Sequence, residues 1–167
     1  KIYDCFMFFD EEMLLDLRLN IMDKYVDKFV ITEATYMHNG KPKKLLFDIN
    51  KFKKFKDKII YIVVDQQPPD LLKISTKDSY DEKMIKKTDN AKKREIFQIN
   101  KAANGLVKTD PEDFVIVSDL DEIPNIQNIN FNKINNKLIF FKQKMYYYKF
   151  NLFHKSLQWY GSKAYKK

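Results

Sequence analysis

Apolar positions along the chain fall into short blocks set off by charged and turn-forming residues. Residues 2–9 form an apolar, aromatic run that predicts a buried strand, stopped by Asp10-Glu11-Glu12, acids suited to the positive end of a following helix. Over residues 13–26, Leu14, Leu17, Ile21 and Tyr25 recur at helical spacing, with Leu15, Leu19, Met22 and Val26 on an adjoining face. Residues 28–34 read as a second strand ending at Glu33, and residues 35–44, with His38-Asn39-Gly40 and Pro42, as a loop. Residues 49–55 predict a short Lys-rich helix and 59–64 a strand. Asp65-Gln66-Gln67-Pro68-Pro69 ends that strand, because proline cannot continue a ladder.

Residues 73–88 show no clear period and predict a mobile loop. Residues 92–106 predict a helix with Ile96, Ile99, Ala103 and Leu106 on one stripe. Phe114-Val115-Ile116-Val117 is the uninterrupted apolar run of a strand covered on both faces. The Asn-rich segment 125–136 reads as irregular, 138–141 and 145–150 as two further strands, and Trp159-Tyr160-Gly161 as the start of another element. Alternating strands and helices over the first 120 residues predict an α/β domain with a largely parallel sheet.

The 167 residues amount to one domain. A composition of 44% hydrophobic and 15% aromatic residues can bury a sizeable core, which excludes a disordered polar tail. No run of about 18 apolar residues occurs, so no ordinary membrane-spanning helix is expected. Cys5 is the single cysteine, which excludes an internal disulfide and a cysteine zinc cage. The formal charge of +8, from 31 basic and 23 acidic residues, favours contact with phosphates. Arginine, the usual bidentate reader of phosphate and guanine, occurs only at Arg18 and Arg94, which weakens a sequence-specific nucleic-acid reading.

In an open α/β sheet, ligands bind at the carboxyl ends of the strands. Four of the expected strands end in acids there: Asp10-Glu11, Glu33, Asp65 and Asp119-Leu120-Asp121-Glu122. Two Asp residues at i and i+2, just where the chain leaves a buried strand, can converge on one hard cation such as Mg²⁺ or Mn²⁺. The plain alternative is a set of turn formers or helix caps, since a bare Asp-x-Asp is common; the buried strand before it and Glu122-Ile123-Pro124 after it favour the metal.

Ser118-Asp119-Leu120-Asp121-Glu122-Ile123-Pro124 resembles the Ser-Asp-x-Asp-Glu-Ile-Pro motif of glycosyltransferase family 17. Similar blocks occur in the family's order at Lys1 to Glu11, at Val26-Asp27-Lys28-Phe29-Val30-Ile31, and at Glu33-Ala34. Others are His38-Asn39-Gly40-Lys41-Pro42-Lys43, Lys56-Asp57-Lys58-Ile59-Ile60 and Gly105-Leu106. The resemblance implies a GT-A-like nucleotide-sugar-binding fold, a single glycosyltransferase-like domain over 1–167. Residues 1–124 would form the nucleotide-sugar part and 125–167 the start of an acceptor-side part, so that the chain reads as C-terminally incomplete. It implies a metal-dependent enzyme that transfers a sugar, N-acetylglucosamine from a UDP-sugar donor, to an oligosaccharide or glycoconjugate acceptor with inversion. Nucleic acid is not expected as a partner.

By the same resemblance, Asp121 and Asp119 are the Mn²⁺ or Mg²⁺ ligands, Asp121 the more direct, and Asp119 also a substrate contact. Asp10, Glu11, Glu33, Gln98, Asn100 and Trp159 are further substrate-binding candidates. Glu122 and Glu33 are the candidates for the base that takes the acceptor proton, each with a plainer reading as a turn cap or a surface strand-end carboxylate. The family's Gln-Arg-Asn is Gln98-Ile99-Asn100 here, so either Arg94 or Lys101 stands in for the missing charge or the site is weaker. His38 and His154 read as an exposed loop residue and a packed one. The aromatic residues between Tyr146 and Tyr160 are assigned mainly to packing, with Trp159 the one to test for acceptor contact. The compartment stays open: cytoplasm for a chain with no leader, Golgi lumen on the pattern of vertebrate members. Two other readings stay open as well, a metal-dependent phospho- or nucleotidyltransferase and a non-catalytic Lys-rich binder of nucleic acid or anionic surfaces.

Overall fold

The computed structural model describes residues 1–135, 137–148 and 151–167. The architecture is mixed α/β around a mostly parallel sheet. Strand β1 (Ile2–Met7) leads through helix α1 (Glu12–Met22) to β2 (Lys28–Ala34). A 3-10 helix over Ile49–Phe55 precedes β3 (Ile59–Val64), and helix α2 (Tyr80–Asn100) with a 3-10 helix over Lys101–Leu106 precedes β4 (Phe114–Val117). Four short strands follow: β5 (Leu138–Phe140), β6 (Gln143–Tyr146), β7 (Phe153–Trp159) and β8 (Lys163–Lys166). The main sheet runs β3-β2-β1-β4-β8-β5, with β1 to β4 parallel and β8 antiparallel to both its neighbours, while β6 and β7 form a separate ribbon.

Strand alternation divides the core. Phe6, Phe29, Ile31 and Ile116 face α1, where Leu15, Leu19 and Met22 meet them. Cys5, Val30 and Val115 face the opposite way and pack on Ala102 and Leu106. The backbone of Gly105 lies against this second face so closely that a Cβ there would sit 2.7 Å from Val30 Cγ1.

The strands of the first 120 residues fall where the apolar pattern puts them, and the helices correct it. On α1 the buried stripe is Leu15, Arg18, Leu19 and Met22, whereas Leu17 and Ile21 are exposed. The segment expected as a mobile loop contains the first turns of α2, opened by a reciprocal cap between Ser79 and Glu82. The stripe expected around Ile96 and Ala103 is also wrong, because both are exposed and α2 buries Asn90 and Gln98 instead. Polar hooks replace an apolar face: Asn90 exchanges two hydrogen bonds with the Leu72 backbone at 2.7 and 2.9 Å, and Gln98 Nε2 donates to the Thr32 carbonyl at 3.0 Å. Trp159 ends β7 rather than opening an element. Asn136 and Phe150, which bound two of the expected segments, lie outside the described residues. Among the described residues no helix is long and apolar enough to cross a membrane.

Candidate active site

At Ser118 the chain leaves β4 and turns through Asp119 to Glu122 at the carboxyl edge of the parallel strands. Glu122 N donates to the Asp119 carbonyl and Asp119 N to Glu122 Oε2, both at 3.1 Å, so the turn closes on itself. Beneath it lies Arg18, fully buried and stacked 4.5 Å from the Phe6 ring centroid. Its guanidinium forks onto Asp4 at 2.9 and 2.7 Å. It also donates to Ser118 Oγ at 2.7 Å and to the carbonyls of Asp119 and Leu120 at 2.7 and 3.1 Å. A guanidinium carries five N–H donors, and here they satisfy carbonyls that the departing strand leaves without ladder partners.

A cleft of about 710 Å³ opens above this loop. Its walls are Met7 at the end of β1 with Phe8 and Phe9 beyond it, Glu11, the turn from Tyr36 to Asn39, Lys43, Glu95 and Gln98 of α2, and Asp119 to Asp121. The 36–42 turn is shaped by Gly40 at φ +85, and Arg94 braces it by donating to the His38 carbonyl at 3.1 Å. Partial desolvation, reinforced by the carboxylates of Glu122, Asp121 and Glu95 and opposed by Arg18, holds the Asp119 carboxyl above its usual range.

Among the described residues no group of three or more His, Cys, Asp or Glu side chains is arranged to hold a metal ion. Two exposed carboxylates on one cleft nonetheless suit a hard cation that takes its remaining ligands from phosphate and water, as Mg²⁺ and Mn²⁺ do.

The description of glycosyltransferase family 17 matches residues 1–167. The chain belongs to glycosyltransferase family 17. Comparison with curated proteins and with solved structures returned no match. Family 17 membership supports a transferase that works on a sugar donor and an acceptor.

The structure brings some of the family 17 candidates together and separates others. Asp119, Asp121, Glu11 and Gln98 line the cleft. Asp10 is exposed and meets Glu11 only through its backbone N–H, and Asn100 is exposed at the end of α2; neither lines the cleft. Glu33 corrects two expectations at once. Strand alternation puts it on the α1 side with Phe29 and Ile31, fully buried. Its carboxylate accepts from Lys43 Nζ, from the backbone N–H of Leu46 and Phe47 at 2.8 and 3.0 Å, and from the Tyr61 hydroxyl at 2.7 Å. It is neither a surface acid nor open to substrate; it fixes the segment that carries Lys43 to the cleft wall.

Glu122 is half-buried, and its second oxygen accepts the Trp159 indole N–H. Neither Arg94 nor Lys101, the two cations expected to offset Ile99, lines the cleft. Arg94 is tied to Gln67 Oε1 at 2.7 Å and to His38, and Lys101 Nζ lies 4.6 Å from the Phe97 ring centroid. Ile99 lines a smaller cavity of about 290 Å³ with Asp119, Glu122 and Trp159, where Lys163 is the cation. Sequence reasoning also passed over Arg18 and Glu95. Asp4 inside an apolar strand and Arg18 within the Leu15-Leu19-Met22 stripe were the available signal for a buried pair.

Proposed function

We propose that this chain transfers N-acetylglucosamine from UDP-N-acetylglucosamine to a glycan acceptor, with inversion, in a GT-A-like arrangement that uses Mn²⁺ or Mg²⁺. The observation that carries this reading is the convergence of Asp119 and Asp121 on one cleft at the carboxyl edge of the parallel sheet, where burial first and neighbouring carboxylates second raise the Asp119 carboxyl. Asp121 would hold the cation, as the resemblance implies, with Asp119 beside it on the same cleft. A bound divalent cation supplies charge neutralisation to a departing diphosphate without moving a proton.

The rest of the work falls to the chain's own residues. Arg18 keeps both aspartates in register by holding the backbone between them. Lys43 and Gln98 shape the cleft wall: Lys43 Nζ donates to Glu33 and the Lys44 carbonyl, and Gln98 Nε2 to the Thr32 carbonyl. Transfer breaks the bond between the anomeric carbon and the diphosphate oxygen, which leaves with the electron pair, and forms a bond to an acceptor hydroxyl oxygen. The hydroxyl proton needs a carboxylate within reach; with Glu33 enclosed, we assign this to Glu122 at the edge of the same turn.

Calorimetry of UDP binding with and without Mn²⁺ tests the reading. Binding that requires the metal and is lost in Asp121→Ala is expected. Unchanged binding in that variant sinks the metal assignment. Tight, steeply salt-dependent DNA binding that is indifferent to chelator would replace the reading with that of a Lys-rich nucleic-acid binder.

A further inference from the structure

A second cleft, of about 670 Å³, opens on the other side of the acidic turn. It shares Asp119 and Asp121 with the first, and its far wall is the β6–β7 ribbon, which presents Tyr146, Tyr148 and Trp159. These rings do not belong to the core: Tyr148 is 99% and Trp159 38% exposed. Tyr148 sits at φ 56, a left-handed conformation uncommon for a residue with a side chain. Trp159 is held in place from the acidic turn, since its indole N–H donates to Glu122 Oε1. Gly161 keeps that carboxylate's place open: a Cβ there would fall 1.8 Å from the same oxygen.

We infer that this second cleft is the acceptor site, and that it takes a saccharide whose rings stack on Trp159 and Tyr148. The inference rests on the glycosyltransfer reading above and adds where, and on what, the acceptor binds. A pyranose ring has an apolar face of C–H bonds that matches the electron-rich face of an aromatic ring, and a rim of hydroxyls that donate and accept. The cleft answers both parts: aromatic faces on the ribbon, acceptors at Asp121 and Glu122, donors at Gln143 and Lys144. An amphipathic helix would want a continuous apolar groove, and this wall instead alternates rings with charged and amide groups. Continuity with the first cleft is the second argument. A donor in one cleft and an acceptor in the other meet at the same pair of aspartates.

Trp159 is the only tryptophan of the chain, so its fluorescence reads this cleft directly. The full chain, with UDP and Mn²⁺ present, is titrated with mannotriose, chitotriose and maltotriose. A saturable change in emission with at least one of them is expected. Tyr148→Ala, or Tyr146→Ala should the first variant fail to fold, is expected to raise the half-saturation concentration by about tenfold, the loss of one stacked ring. Silence with all three sugars overturns the inference, as does a folded variant of either tyrosine that titrates like the parent. So does sedimentation showing a dimer whose dissociation shifts the Trp159 emission, because a second copy then covers the face. UDP calorimetry on the same samples keeps the two readings apart: lost UDP binding with retained saccharide binding sinks the donor reading alone.

Discussion

Arg18 Nη1 lies 2.7 Å from the carbonyl oxygen of Asp119, a residue 101 positions further along the chain. The same guanidinium is paired with Asp4 in the first strand, so the acidic turn rests on a charge buried between α1 and the sheet. This links the stability of the core to the position of the site carboxylates.

Arg18→Met removes the partner of a buried carboxylate and is expected to destabilise the chain by about 3–5 kcal/mol in urea unfolding. Adding Asp4→Leu to that variant should restore much of the loss, since no unpaired charge then remains. Metal-dependent UDP binding should stay weak in the double variant, because the Asp119 and Leu120 carbonyls still lack their donor. A single variant within about 0.5 kcal/mol of the parent, the range of an ordinary surface substitution, would contradict the buried pair.

Asp119 gives a charge-dependent prediction. Its carboxyl is raised in the folded chain, so the folded state holds a proton more tightly than the unfolded one. That contribution to stability is complete below the ordinary carboxylate pKa and is lost as pH rises through the folded value. The metal-free chain should therefore melt higher after Asp119→Asn at neutral pH. Mn²⁺ should raise the melting temperature of the parent and do so less for the variant. Identical melting of both proteins with and without Mn²⁺ would contradict a raised Asp119 carboxyl at the turn.

Much of the fold was legible because β1, β2 and β4 are buried on both faces, and the half-buried edge strand β3 is still apolar throughout, so all four appear as apolar runs at their true places. α2 was hidden over its first turns because Asn90 docks them on the Leu72 backbone by hydrogen bonds, which leave no apolar period. The acidic turn announced itself by Asp119 and Asp121 following a buried strand. What supports it did not, since Arg18 looks like any helix-surface arginine until its neighbours on the stripe are known to be buried. Glu33 was misjudged for a related reason: a strand-end acid reads as exposed, and the donors that enclose it come from residues 43–47 and from β3.

Glu33→Gln is expected to cost about 1.5–3 kcal/mol, the range for hydrogen bonds to a charged group, and to loosen residues 43–47 in hydrogen exchange. The Tyr61 hydroxyl shares the site. Burial first, then its bond to Glu33 and the charge there, raise its pKa above the ordinary phenolic value. The unfolded chain loses that proton first, so stability should fall as pH rises above about 10, with no matching fall in Tyr61→Phe. A parent and variant with the same alkaline profile would remove Tyr61 from the Glu33 site.

Gly161→Ala tests the join between the two clefts. A Cβ at this position would stand 1.8 Å from Glu122 Oε1 and 2.1 Å from Cδ, contacts that no real Cβ tolerates. The carboxylate is the free end of a side chain and can swing away, so the expected result is a folded protein rather than an unfolded one. Swinging away, Glu122 gives up both the Trp159 indole N–H and the Asp119 backbone N–H. Two separate readouts should then move together: the emission of Trp159, as its anchor is lost, and the apparent affinity for UDP with Mn²⁺, as the turn that aims Asp119 loosens. Glu122→Gln keeps an acceptor for one of those donors, so it should disturb the emission less than Gly161→Ala while lowering kcat more than it raises KM. If Gly161→Ala leaves both the emission and the UDP affinity as they are, Glu122 is not the link between the aromatic ribbon and the acidic turn.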